Sequence, residues 1–547
     1  MAFLTADTIR RAAQSQRALL ATFVAAIFLS AALLFQIEPM FTKMVLPRLG
    51  GSPSVWSVAM VFFQAMLLAG YGYAHILTRW APGRMSIVIH LAVMVLAAYG
   101  LPLAIGSGRP PAAGETLWLI GVFTTSIGLP FFALAANGPL LQAWFARTNH
   151  RDARDPYFLY AASNVGSFLA LLSYPTVVEP LITLSGQTTL WSIAFYVLIA
   201  LIVASGVLVW RTAAVENSDQ YAEAPRADAP AADAPTSDAP TWRDGLTWCA
   251  LATVPSGLLI AVTAHISTDV AAVPLLWVLP LALYLLTFVI VFQRSPLIPH
   301  RLAVALQPLF ILALVFIMTL DPIRVLALLG IVVDPIKGMI GIIGFHCAVF
   351  FVNALVCHGE LARRRPAARH LTVFYLWMAA GGMIGGIAAG LVAPHVFNWV
   401  AEYPILIVLA ALCRPGLALP HDRRALLTTF GALAVTVLVM IAFHQFHPDY
   451  EEIRFDWTIG SFLAVAVLFW FAPLPFAAIV AVALFINHTY VDVNGTTSVR
   501  SFFGVHKVAD SEDGRFRVLS HGTTLHGAER IRDANGNPVE GRPIPVM

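Results

Sequence analysis

Apolar runs of about 17 to 25 residues recur along this chain between short polar stretches, and each would cross a hydrocarbon core of roughly 30 Å as a helix. Six precede residue 211, at about 18–37, 55–77, 85–105, 116–136, 157–178 and 188–210. Eight more follow residue 245, near 246–266, 271–293, 300–320, 338–358, 371–393, 401–413, 425–444 and 457–487. Pro473 and Pro475 interrupt the last, which predicts one kinked helix or two short ones. The pattern therefore predicts an all-α polytopic membrane protein with 14 or 15 spans.

Between the two groups of runs lies a stretch rich in Ala, Pro and Asp that repeats Asp-Ala-Pro at 228–230, 233–235 and 238–240. Such a composition buries no apolar surface and predicts a flexible linker. The expected organisation is a first transmembrane half over 1–210, a linker over 211–245, a second half over 246–487 and a small β segment over 488–547. A weak internal echo links the halves. FLYAASNVGSFLALLSYPTVVEP (158–180) can be laid on YLWMAAGGMIGGIAAGLVAP (375–394), and SAALLFQIEP (30–39) on SGLLIAVTAHIST (256–268). Two parallel-repeat halves joined by a long cytoplasmic loop are the plan of major-facilitator-type transporters.

Of the 547 residues, 59% are hydrophobic and 12% charged, which excludes an ordinary soluble protein and makes the lipid bilayer the first partner. A net charge of only +3, without a clustered basic face, argues against nucleic acid. With the N-terminus inside, twenty basic residues fall in inward loops and six in outward ones, which predicts an N-in orientation. Fourteen spans would put the C-terminal tail in the cytoplasm as well. The first run is too long for a signal peptide and is expected to stay as a transmembrane helix. Cys249, Cys347, Cys357 and Cys413 fall in or beside apolar runs and read as small core residues. No ligand cluster suggests a metal, and no motif suggests a cofactor.

Polar groups at membrane depth are costly and therefore mark candidate function. Glu38 and Lys43, at the end of the first run, suit an ion pair or an outer vestibule. Asn137-Gly138-Pro139 with Gln142 is expected to break the fourth helix, and Asn164 lies in the small-residue stripe of the fifth. His265 and Asp269 are four residues apart, so one helical turn brings them together, and a His beside a carboxylate suits a proton-coupled step. His346 and Asn353 lie deep in the tenth run. Gly381-Gly382-Met383-Ile384-Gly385-Gly386 is preceded by no strand and reads as a close helix–helix contact, not a nucleotide loop.

The tail has another character. RSFFGVHKV (500–508), RFRVLSHG (515–522) and TLHGAERI (524–531) read as strands, with SEDG (511–514) as a turn. Three strands alone are marginal and should pack on something else. Together with QIEPMFTKMVLPRLGGSPSVW (36–56), FFQAMLLAGYGYAH (62–75) and YFLYAASNVGSFLALLSYP (157–175), this tail resembles the bacterial membrane-anchored spermidine-synthase-like proteins. In them a transporter-like helical region is fused to an aminopropyltransferase-like domain.

That resemblance implies a bacterial inner-membrane protein whose tail is the small β-domain preceding the catalytic part, with His521, Thr523, Thr524 and His526 on its substrate side. The methyltransferase-like catalytic part, with its Gly-rich loop and catalytic Asp residues, has no counterpart before the chain ends at GRPIPVM. The chain alone is thus expected to lack catalysis, and a separately encoded methyltransferase-fold enzyme becomes an expected partner. The function so implied is a membrane module that binds or moves a small cationic, polyamine-like solute. The alternatives are a secondary transporter of the major-facilitator type, or a truncated, inactive membrane-bound enzyme of that family.

Overall fold

The computed structural model describes residues 6–546, apart from 50–52, 82, 107, 109, 112–113, 154–156, 220–238, 272–275, 294–295, 320–333, 368–369, 418–422, 447–450, 494–496, 503, 512, 523, 534–535 and 540–544. The Asp-Ala-Pro linker falls almost wholly outside the described residues. In the first half α1 (Ala6–Val45), α2 (Pro53–Trp80), α3 (Gly83–Ala98), α4 (Glu115–Phe145), α5 (Tyr157–Ser173) and α6 (Leu184–Asp219) follow in order. The second half begins with α7 (Trp242–His265), α8 (Val278–Val291), α9 (His300–Thr319), α10 (Pro335–Arg363), α11 (Leu371–Ile387) and α12 (Glu402–Leu412). Three more helices complete it: α13 (Arg423–Phe446), α14 (Glu451–Leu468) and α15 (Pro473–Val493). Nine helices among the described residues are long and apolar enough to cross a membrane. The chain is a multi-pass helical membrane protein. In lipid every backbone N–H and C=O must find its partner inside the segment, so the apolar runs fold as helices.

Two helix starts fall earlier than hydropathy alone places them, because polar caps fix them. Thr241 and Asp244 form a reciprocal capping box in which each side chain accepts the other's backbone N–H, so α7 opens at Trp242. Asp334 accepts from the N–H groups of Ile336 and Lys337, and Pro335 occupies the first helical position of α10.

The two halves pack by the same scheme. α1 lies against α5 and α6, and α7 lies correspondingly against α11 and α12. α2 pairs with α4 as α8 pairs with α10. Between the halves α2 meets α11, and α5 meets α8. The sequence echo appears in the backbone as well. α5 and α11 each run into one turn of wider i→i+5 hydrogen bonding, at Tyr174–Val178 and Ala388–Val392, and each then ends in a short Pro-bearing turn. α7 has such a turn too, at Ile266–Val270. Turns of this kind are frequent at functional sites.

Glycine sets how closely the paired helices approach. A Cβ on Gly381 would strike the carbonyl oxygen of Cys249, and one on Gly385 that of Thr253, so α7 and α11 meet backbone to backbone. In the first half a Cβ on Gly166 would meet the carbonyl oxygen of Phe28, at 2.7 Å. The glycine run is a packing stripe, as its spacing predicts. All four cysteines are free thiols.

Pro473 opens a separate helix after a turn through Phe469 and Ala472, so the last apolar run is two helices and the described chain has fifteen. Lys43, Glu179, Asp269 and Glu402 gather at the end that carries the C-terminal sheet, while Gln16, Arg147 and Arg364 lie at the other. The sheet thus lies at the end of the bundle opposite Gln16 of α1.

The tail is a five-stranded antiparallel meander of β1 (Thr497–Ser501), β2 (Gly504–Asp510), β3 (Phe516–His521), β4 (Thr524–Arg530) and β5 (Pro545–Val546). RSFFGVHKV is not one strand. The chain turns after Ser501, and Ser501 pairs with Gly504, whose φ of 132° suits only glycine.

Replacing Gly385 with Val should destabilise the protein by about 1–3 kcal/mol, because a side chain there drives the α7 and α11 backbones apart. Gly344→Ala, where nothing lies within 4 Å of the added carbon, should be neutral or stabilising by up to about 1 kcal/mol. Thermal unfolding of the two detergent-purified variants checks both. Equal melting temperatures would refute the contact.

Candidate functional site

Between the halves lies a central cavity of about 150 Å³, lined by α1, α2, α4 and α5 on one side and α7, α8 and α11 on the other. Its wall is mostly apolar, with polar side chains from Glu38, Gln64, Ser163, Asn164 and Ser256 and the rings of Tyr71, Tyr160 and Tyr284. Apolar walls with a few convergent polar groups are the usual make-up of a small-molecule site. Glu38 is 4% exposed and is the only carboxylate among the described lining residues. Its Oε2 has no hydrogen-bond partner among the described residues, and neither do Gln64 Oε1 and Asn164 Nδ2. Gln64 donates to Ser256 Oγ (2.8 Å), which donates to the Gly382 carbonyl (2.9 Å), so one polar chain joins α2, α7 and α11.

Aromatic contacts join the halves on both sides of this cavity. Towards the sheet, Trp56 of α2 stacks on Trp277 at the start of α8, with ring centres 4.3 Å apart. At the far end Tyr375 of α11 stacks on Tyr160 of α5 at 5.1 Å, and its hydroxyl donates to Gln142 Oε1 (3.1 Å). His75 and Thr372 make a second polar bridge there (2.9 Å).

Beyond the Trp pair lies an outer vestibule lined by Lys43, Glu179, Ser57, Thr268, Trp277 and the first hairpin of the sheet. Arg500 of β1 is clamped to Glu402 through two hydrogen bonds, 2.7 and 3.0 Å, and also donates to the Trp399 carbonyl. Both partners are buried. Lys507 of β2 pairs with Asp269 (2.9 Å), which also holds His265 Nδ1 (3.0 Å). His265 stacks on Tyr403, whose hydroxyl bonds His346. Phe502, at the hairpin turn, packs against the core of the first half. The sheet thus roofs the vestibule, and this hairpin touches both halves.

The sequence candidates separate into these places. Glu38 and Asn164 line the central cavity, whereas Lys43 lines the vestibule and pairs with Glu179 instead of Glu38. α1 runs through Pro39 to Val45, which carries Lys43 more than a turn beyond Glu38. Asn137 is a packing group, accepting from or donating to Ser30 and His90 inside the first half. The predicted break in α4 is corrected: the helix continues through Pro139, and the Gly138 carbonyl takes a hydrogen bond from Gln142 Nε2. Asn353 bonds Gln307 and the Val349 carbonyl in the second-half core. His521 stacks on His506 and lies 5.6 Å from His526 across the sheet; Thr524 begins β4, and Thr523 lies outside the described residues. Among the described residues no group of three or more His, Cys, Asp or Glu could hold a metal ion.

Sequence reading passed over Gln64, the tyrosines of GYGYAH, the Trp pair and the two sheet clamps. The clamps depend on contacts more than 90 residues apart and leave no local signal.

No family model matches the chain, and no curated protein matches it. Among solved structures it is similar to a mutant of the peptide transporter POT bound to alafosfalin, at 14% identity over 73% of this chain and 93% of that one, with a TM-score of 0.42. The same protein bound to sulfate gives 14%, 73%, 93% and 0.41. A POT family transporter in complex with 5-aminolevulinic acid gives 12% over 73% and 94%, with a TM-score of 0.41. The expected membership of the spermidine-synthase-like family is corrected by these findings, since the structural neighbours are transporters and no sequence family matches. The substrate-side role of His521, Thr523, Thr524 and His526, the methyltransferase-fold partner and the polyamine-like solute rested on that resemblance and fall with it.

Glu402→Ala should loosen the sheet by about 3–5 kcal/mol, because it strands the buried Arg500 guanidinium without its carboxylate. The double variant with Arg500→Ala should recover part of that loss. Limited proteolysis between α15 and β1 measures sheet release. Identical cleavage in wild type and Glu402→Ala would show that the clamp holds nothing.

Proposed function

We propose that this protein is a secondary transporter of the major-facilitator type, moving a small solute through the central cavity. The observation that carries the reading is that cavity: it lies between two similarly packed halves, and Glu38, Gln64 and Asn164 in its lining each hold a buried polar atom with no hydrogen-bond partner among the described residues. A buried polar atom without a partner costs stability, so a site of this kind is retained where a ligand or water supplies the missing bond. Glu38 is placed to take up a proton or to neutralise a cationic group on the solute. Aromatic pairs joining the halves on both sides of the cavity suit a site that opens to one face at a time as the halves rock.

The basic end of the bundle, with Arg79, Arg147, Arg151, Arg363 and Arg364, is read as cytoplasmic by the positive-inside rule. On that reading the sheet stands on the outer face of an energised plasma membrane. The His265–Asp269–Lys507 group then lies at the outer mouth and not at the coupling site.

Alternating access is testable without knowing the solute. In a background free of the four native cysteines, Ser163→Cys in the cavity should react with a membrane-impermeant thiol reagent in both right-side-out and inverted vesicles. Reaction from one face only, or from neither, would overturn the transporter reading. Ser511→Cys, in the turn between β2 and β3, should label in intact cells before lysis. Protection until lysis would reverse the orientation.

A further inference from the structure

We infer that the pocket at the basic end of the bundle, where α2, α4 and α11 meet, binds a phosphate-ester anion. It has a volume of about 390 Å³ and is lined by His75, Thr78 and Arg79 of α2, Gln142 and Arg147 at the end of α4, and His370 with the first turn of α11. None of the described residues lining it carries a carboxylate. This distinguishes Arg79 and Arg147 from their neighbours at the same end. Arg151 has Asp152 at 3.4 Å, and Arg363 and Arg364 share Glu360 at 3.1 and 2.9 Å. Arg79 and Arg147 pair with no carboxylate among the described residues; Arg147 donates to the carbonyl of Thr78, another residue of the pocket lining (3.1 Å).

Arg79 and Arg147 bring guanidinium groups from two different helices to the lining of one concave site, and a guanidinium offers the planar two-point donor geometry that suits a phosphate oxygen pair. Thr372 adds a hydroxyl on the side of the second half, and His75 of α2 adds the imidazole that is hydrogen-bonded to it (2.9 Å). The first turn of α11 has no side-chain cap, so its backbone N–H groups add to the positive field without defining the site alone. The pocket spans the junction of the halves beside the His75–Thr372 and Gln142–Tyr375 bridges. An anion seated there therefore touches both halves at the end where Tyr375 stacks on Tyr160. The phosphate comes either from the headgroup of an anionic lipid, which this depth favours, or from a free phosphate compound in solution.

Binding is measured by tryptophan fluorescence on the full-length, delipidated protein in detergent, titrated with phosphatidylglycerol, phosphatidylcholine or inorganic phosphate. Saturable binding of phosphatidylglycerol but not phosphatidylcholine supports the site and assigns it to lipid; saturable binding of inorganic phosphate supports it and assigns a free anion. In either case Arg79→Gln/Arg147→Gln should weaken binding about thirtyfold, roughly 2 kcal/mol. Arg151→Gln should leave it unchanged. Ala143→Glu keeps both arginines and places a carboxylate in the pocket wall; it should abolish binding and guards against misfolding of the double variant. Equal binding of both lipids without phosphate binding, or wild-type affinity in Ala143→Glu, would overturn the proposal.

Discussion

The backbone contact between α7 and α11 fixes the geometry on which the cavity depends. Lipid tails are as apolar as leucine, so helices in a bilayer are not driven together by the hydrophobic effect and rely on close packing instead. Gly381 and Gly385 allow it by leaving room for the carbonyl oxygens of Cys249 and Thr253. The same stripe continues into the cavity. Gly382 offers its carbonyl to Ser256, Ser256 holds Gln64, and Gln64 lies so close to Gly386 that a Cβ there would collide with its amide. The polar lining contributed by α2 and α7 is thus positioned by glycines of α11. A cavity between two halves is expensive to keep open, and here it is bounded by elements already locked by backbone contact.

Much of the fold was legible because lipid imposes length and composition on each segment. The runs gave the helices, and the echo between 158–180 and 375–394 reappears as two helices ending in the same wide turn. Spacing also brought His265 to Asp269. Other features were not legible, each for a physical reason. Lys43 chose Glu179 over the nearer Glu38, since α1 continues through Pro39 and points them to different cavities. Pro139 looked like a break, yet neighbouring groups satisfy the helix around it. Gln64 and the cavity tyrosines sit in runs whose hydropathy conceals them. The family resemblance misled because transmembrane segments draw on few residue types, so short strings of Ala, Leu, Phe and Gly match widely and report the solvent more than the ancestry.

The sheet has unequal attachments to the two halves, and that inequality dictates how the vestibule can open. Arg500–Glu402 and Lys507–Asp269 tie it to the second half, and Val505 is buried in that half's core. The first half meets this hairpin through Phe502 and meets the second half at this end through the Trp56–Trp277 stack. Breaking a buried ion pair costs about 3–5 kcal/mol, whereas an aromatic pair is worth about 0.5–1.5 kcal/mol beyond its area. A rocking motion that opens this end therefore parts the aromatic contacts and spares the clamps. On the proposed transporter reading the sheet would travel with the second half as a roof, and the passage would open along the first-half side, past Lys43 and Glu179 towards Glu38. On that reading the half that carries the sheet would also carry the lid, and Glu38 of the other half, buried in the central cavity, would lie at the inner end of the path it uncovers.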